Sequence, residues 1–297
     1  MAAPARVPDS SMPQLFQAAD AASLEGQRSY VGGVRRRLVF LVVAAAAGIV
    51  TWRVGNGRLD VMGLVGMLAF VGAIIEESSL WRHRPDKAWY DGRAVAESAK
   101  TLAWKYAVGG LPFPIAMPAN EATLGLVEKL RGLSGQFSDL ELSPVAASQV
   151  SEWMREQRST SLDDRKRTYI EARVHDQQQW YAAKSRYNKR RSNQWRMALF
   201  GLEFTGAAAS LVTAVVQSSL MLGPALAMIA GAAVAWTEAK QHDSLARAYS
   251  AACTDLSSAE TKLLLADSED AWSREVDDAE EAISREHVVW LATRHRL

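Results

Sequence analysis

Four carboxylates stand where carboxylates are costly. Glu203 lies eight residues beyond Trp195, inside the apolar stretch Met197–Val216, about 12 Å along a helix from that tryptophan. A charge at such depth in a bilayer costs about 2.5–3.5 kcal/mol, so acids in these positions face a bundle interior, a neighbour or water. Glu76-Glu77 and Glu238 each close a second apolar stretch. Repeated around an oligomer, they form an acidic ring that concentrates cations at a pore mouth. Taken singly, each also reads as a solvated acid at a helix end, and Glu203 as a protonated or snorkelling structural glutamate. The chemistry on offer is ion passage, with no bond made or broken.

Nothing else in the sequence assembles a reactive constellation. The five histidines show no ligand-like spacing, Cys253 is the one cysteine, and no glycine-rich phosphate cradle follows a strand. The expectation is therefore no catalytic residue, no metal and no cofactor. The 34 basic and 33 acidic residues give a net charge of +1, which argues against a nucleic-acid partner.

The elements that must position those acids are four apolar blocks, Leu38–Val54, Leu59–Ile75, Met197–Val216 and Leu220–Trp236. Each has roughly 17–20 residues, which at about 1.5 Å per residue just crosses a hydrocarbon core about 30 Å thick. Leu38–Val50 and Leu64–Ile75 lack the polar stripe of a soluble core helix. The competing readings are two buried hairpins in a soluble bundle, or a cleaved signal peptide for the first block. Gly55-Asn56-Gly57-Arg58 and Gln217-Ser218 make the turns. The mean hydropathy of −0.10 is modest because the charges collect between the blocks. Arg35-Arg36-Arg37 and Lys189-Arg190-Arg191 precede the first and third blocks, which by the positive-inside rule puts both clusters and both termini in the cytoplasm. Trp52, Trp81, Trp195 and Trp236 mark interfaces. The lipid bilayer is thus the first partner expected.

Small residues speak to packing. Gly223, Ala227, Gly231 and Ala235 recur every four residues, as do Gly206, Ser210 and Ala214, while Gly63, Gly66, Ala69 and Gly72 recur every three. Such rows let helices approach closely within a subunit or between subunits.

The fold class expected is all-α: a polytopic membrane protein with four transmembrane helices in two parallel-repeat hairpins, extended into a cytoplasmic helical domain. The plan of basic cluster, apolar hairpin, acid and long polar helix occurs twice, so the chain divides into modules at 1–160 and 161–297. Gly109-Gly110 and Pro112 and Pro114 end one helix, and short helices are expected around Glu121–Leu130 and Val145–Gln157. Ser161 starts a helix with no glycine or proline before Gly201, and Trp236 to about Ala266 has none either, so both are expected to be continuous. A last amphipathic helix starts near Asp267 and puts Val276, Ile283 and Trp290 on one face.

Trp89-Tyr-Asp-Gly-Arg93-Ala-Val-Ala-Glu97-Ser98-Ala-Lys100, followed by Trp104-Lys-Tyr106 and Leu111-Pro112-Phe113, resembles the signature of SLATT domains. These are two-transmembrane modules associated with SMODS nucleotidyltransferases and SLOG sensors of bacteria. The second half, with Gln179-Trp180-Tyr181, Lys184-Ser185 and Glu280, Glu286 and Trp290, resembles a sister SLATT type (DUF4231-like). The resemblance singles out Trp89, Arg93, Glu97, Lys100 and Trp104 as motif residues and carries no catalytic residue. It implies a membrane effector of bacterial conflict or antiphage signalling, a homo-oligomeric pore, and a sensor or nucleotide-signal partner in trans. The alternative is a non-conducting membrane anchor whose cytoplasmic helices recruit a partner.

Overall fold

A computed structural model describes residues 7–55, 57, 59–216 and 222–294, and side chains as far as Ser284. Among the described residues the regular structure is helical apart from one two-stranded ribbon. Its helices are α1 (Gln14–Ala47), α2 (Val61–His83), α3 (Pro85–Val108), α4 (Ala119–Gln136), α5 (Glu152–Ser159), α6 (Leu162–Tyr169), α7 (Asp176–Val216), α8 (Leu222–Lys240), α9 (His242–Leu265) and α10 (Glu269–Arg294). A π-helical turn, Ile170–His175, joins α6 to α7, so the helix expected to start at Ser161 does run on to Val216. Ser161 Oγ caps it by accepting from Asp164 N at 3.2 Å.

The chain forms two compact units. The hairpin unit holds residues 28–85 and 187–245, and the helical unit holds 1–27, 86–186 and 246–297. Each unit therefore draws on both halves of the sequence.

The helical unit has a large aromatic core. Trp104, Tyr106, Phe113, Tyr169, Tyr181 and Trp272 are fully buried with Leu126, Leu130, Met154, Leu256 and Leu263. Trp104 meets the edges of Trp153 at 5.1 Å and Tyr169 at 5.7 Å, and Tyr169 meets Trp272 at 5.7 Å. Edge-to-face pairs add about 0.5–1.5 kcal/mol each beyond area burial.

The hairpin unit is bare by contrast. Three helical runs, Val61–Val108, Leu162–Val216 and Leu222–Leu265, are long and apolar enough to cross a membrane by length and composition. In the most apolar window of the second run no residue is buried. The first block departs from expectation, because α1 stops at Ala47 instead of continuing toward Val54. Gly48 and the β-branched Ile49-Val50-Thr51 favour leaving the helix. Arg53–Val54 then pairs antiparallel with Leu59–Asp60. Asp60 secures this corner, its Oδ1 accepting from Trp52 N at 3.3 Å and from Met62 N at 3.1 Å at the start of α2. Gly55 and Gly57 take φ of 66° and 79°, and Asn56 and Arg58 lie outside the described residues. So do Gln217-Ser218 and Leu220, where the second turn was expected.

Two further expectations are corrected. The run from Trp236 to Ala266 is not one helix, since Gln241 adopts φ 50° and divides α8 from α9. No glycine is needed there. The Gln241 N–H donates to Thr237 O at 2.9 Å, and His242 is tied sideways to Asn188. Arg84, at φ 45°, divides α2 from α3 in the same way, with its N–H on Leu80 O at 3.1 Å. Val145–Ser151 is not helical either, and α5 begins only where Ser151 Oγ caps Met154 N at 3.2 Å. The first short helix is longer than expected, Ala119–Gln136.

Candidate functional site

The four candidate carboxylates fall into two environments. Glu76 accepts from Arg36 through both oxygens, Nε at 2.7 Å and Nη2 at 3.0 Å, and Glu77 pairs with Arg37 at 2.6 Å. The arginine cluster before the first hairpin is thus partly neutralised by the acids that end it. Glu203 and Glu238 are exposed and make no ion pair among the described residues. Glu203 stands between Phe200 and Phe204, which are 66% and 71% exposed, on the barest part of α7.

The two hairpin exits differ. At the second, His242 Nδ1 meets Asn188 Oδ1 at 2.7 Å, the Tyr187 ring packs edge-on against His242 at 6.3 Å, and Lys240 lies over Trp236. Burial, with Lys240 and Arg191 nearby, holds the imidazole pKa below its usual value. At the first exit the space between α1 and α2 stays open.

The packing glycines also separate. A Cβ on Gly72 would meet the Phe40 ring at 3.0 Å, and one on Gly66 would touch Ala47 at 3.7 Å, so both face α1. Gly206 and Gly223 face the other helix of the second hairpin, where an added Cβ would meet Leu226 at 3.6 Å and crowd Ser210 Oγ. Gly63 approaches only Asp60 of its own turn, and Gly231 faces open space.

The motif residues all lie in the helical unit. Trp89 packs on Tyr90 at 5.0 Å, and its carbonyl accepts from Ser23 Oγ at 3.0 Å. Arg93 pairs with Glu97 at 3.2 Å and covers the Trp180 ring, joining the first motif to the second. Lys100 reaches Asp9 at 3.5 Å and the Phe16 ring. Trp104 is the centre of the aromatic core. Their arrangement is that of packing anchors.

Sequence reasoning gave Glu280 no role beyond the resemblance, yet it organises this unit. It is fully buried and accepts from Arg173 Nε (2.9 Å) and Nη2 (2.7 Å), Tyr169 OH (3.0 Å) and Thr101 Oγ1 (2.8 Å). Burial and then the Glu280 charge push the Tyr169 phenol well above its ordinary pKa. For Arg173, burial works against the charge and the Glu280 carboxylate outweighs it, so the pKa is raised. The one signal available in advance was position: Glu280 falls four residues after Val276 on an otherwise apolar face. Two other buried arginines seal the end of α3. Arg158 donates to the carbonyls of Tyr106 (3.1 Å), Phe113 (2.7 Å) and Pro114 (2.8 Å). Arg165 donates to Val108 O at 3.0 Å and pairs with Glu269, while Trp272 Nε1 donates to the same carbonyl at 2.8 Å. Glu286 and Trp290 lie outside the residues whose side chains are described. Among the described residues no three His, Cys, Asp or Glu side chains converge as metal ligands.

Long bare apolar helices, paired off by small residues and carrying unpartnered acids, define a helical-hairpin membrane protein. Two family models account for nearly the whole chain. SMODS and SLOG-associating 2TM effector domain 3 matches residues 13–166, and SMODS and SLOG-associating 2TM effector domain 1 matches residues 169–290. The chain belongs to the SLATT family and carries two such domains in tandem; these effector domains are associated with bacterial conflict systems. No curated protein and no solved structure matches it.

Proposed function

We propose that the chain is a bacterial inner-membrane effector that crosses the bilayer four times and assembles as a homo-oligomer around a cation-conducting pore. Both termini and the helical unit lie in the cytoplasm, where a sensor or nucleotide-signal partner acts on it in trans, and it performs no catalysis. The observation that carries this reading is Glu203, exposed among Phe200 and Phe204 on a stretch of α7 with nothing buried. In a lone subunit that carboxylate would meet lipid at a cost of about 2.5–3.5 kcal/mol. A water path or a second subunit removes the cost. The free carboxylate of Glu238 extends the acidic path, whereas Glu76 and Glu77 contribute less because Arg36 and Arg37 hold them. The non-helical backbone at 48–54 also favours assembly, since bare backbone groups in lipid need protein or water to satisfy them.

Full-length protein reconstituted in planar bilayers is expected to give discrete, cation-preferring conductance steps, with Glu203→Gln lowering the cation preference. Bilayers that stay tight under all conditions overturn the reading. A second reading, a non-conducting anchor that recruits a partner, draws on Leu124 of α4 and Leu264 and Leu265 of α9, which leave 69%, 58% and 77% of their surface exposed in the helical unit. Partner capture that survives deletion of the hairpins, without conductance, would favour it.

A further inference from the structure

We propose that the polar cavity between α1 and α2, at the exit of the first hairpin, binds the phosphate of an anionic lipid headgroup. This rests on the reading that the hairpin lies in a bilayer. The cavity measures about 480 Å³ and is lined by Arg28, Ser29 and Arg36 of α1 and by Glu76, Ser79 and His83 of α2. Arg28 has no ion pair among the described residues. Arg36 is held by its two bonds to Glu76, which fixes its guanidinium and cancels the one acid in the cavity. His83 Nδ1 is engaged by Ser79 O at 3.0 Å, leaving Nε2 uncommitted. Arg35, Arg37, Arg82 and Arg84 flank the same ends of the helices, so cations outnumber Glu76 and Glu77. A guanidinium fork and hydroxyls are the donors that fit phosphate oxygens.

What selects a lipid over a soluble phosphate is the surface beside the cavity. Ile74 and Ile75 of α2 and Val39 of α1 are exposed large apolar residues adjoining the polar lining in sequence, one place for acyl chains next to one for a headgroup. Basic pockets between membrane helices on the cytoplasmic side hold anionic headgroups by this juxtaposition. Gly33 allows the close approach that shapes the cavity, since a Cβ there would meet Leu80 at 2.7 Å. At the second exit His242 instead bonds Asn188 and packs on the Tyr187 ring.

The test uses the full chain in nanodiscs of phosphatidylcholine, alone or with phosphatidylglycerol, and counts lipids retained on the released protein by native mass spectrometry. Phosphatidylglycerol is expected to be retained in preference to phosphatidylcholine. Arg28→Gln and Ser79→Ala should each weaken its retention, Arg28→Gln by about tenfold, the equivalent of about 1.4 kcal/mol. Arg82→Gln, outside the cavity, should change it less than about twofold on the same scale. Equal losses in all three variants, or no preference in the parent, overturn the proposal. In phosphatidylcholine discs, inorganic phosphate or glycerophosphoglycerol raising thermal stability as much as phosphatidylglycerol does would assign the cavity to a soluble phosphate and overturn the lipid assignment. A chain that never enters the discs fails the membrane reading itself, an outcome distinct from each of these.

Discussion

The helical unit and the hairpin unit are made from the same two repeats and held together by opposite means. In the helical unit, buried charge and aromatic edges bind the repeats to each other: Thr101 of the first joins Tyr169, Arg173 and Glu280 of the second. In the hairpin unit, small residues set helix spacing, and the ion pairs between helices, Arg36–Glu76 and Arg37–Glu77, stand at the exposed first exit. Between helices in lipid, which supplies no hydrophobic drive, close packing is the principal adhesive, whereas a packed protein core can bury a paired charge if its lone pairs are used.

That contrast is open to direct attack, the largest effect coming from the helical unit. Glu280→Ala leaves Arg173 buried and uncompensated and is expected to cost about 3–5 kcal/mol, read as a lower midpoint of the tryptophan-fluorescence unfolding transition. Adding Arg173→Met should restore much of the loss. Next comes overpacking. Gly92→Leu drives a side chain against the Ser23 and Ala19 backbone, 2.9 and 3.0 Å from the Cβ position, at a cost of about 1–3 kcal/mol. Gly231→Ala meets nothing in one subunit and should leave unfolding near that of the parent. A fall in oligomer mass for Gly231→Leu, measured by light scattering in detergent, would place that helix face between subunits.

Smaller effects belong to the hairpin exits. The His242 pKa is held down by burial, so the unfolded chain binds the proton more readily. The stability this site contributes is full above the unfolded histidine value, about 6.5, and is lost as pH falls below it toward the folded value. His242→Ala should flatten this part of the pH profile of thermal unfolding. Glu76→Gln, at an exposed ion pair, should change stability by no more than about 0.2–1 kcal/mol. A larger loss would mean that the first exit is covered in the assembled protein.

Hydropathy and charge made the apolar blocks and the repeat legible, and the family resemblance the motif segment, because each rests on neighbours in sequence. Three things depended on distant partners and were not legible. Gln241 breaks a helix without glycine or proline, beside His242, which bonds Asn188 54 residues away. Arg158 and Arg165 are buried by partners far along the chain, the carbonyls of Tyr106, Val108, Phe113 and Pro114 and the Glu269 carboxylate. Glu76 and Glu77 looked available for a ring until the fold brought Arg36 and Arg37 against them. Glu203 was legible as an anomaly in its apolar stretch.

Arg84 and Gln241 place one left-handed residue where each hairpin's outgoing helix ends, while the incoming helices α1 and α7 pass through without a break. Each hairpin therefore has an unbroken helix on one side and a backbone break on the other, and at the second hairpin the break lies beside His242, which Asn188 of α7 holds, so any turn of α7 pulls on that junction.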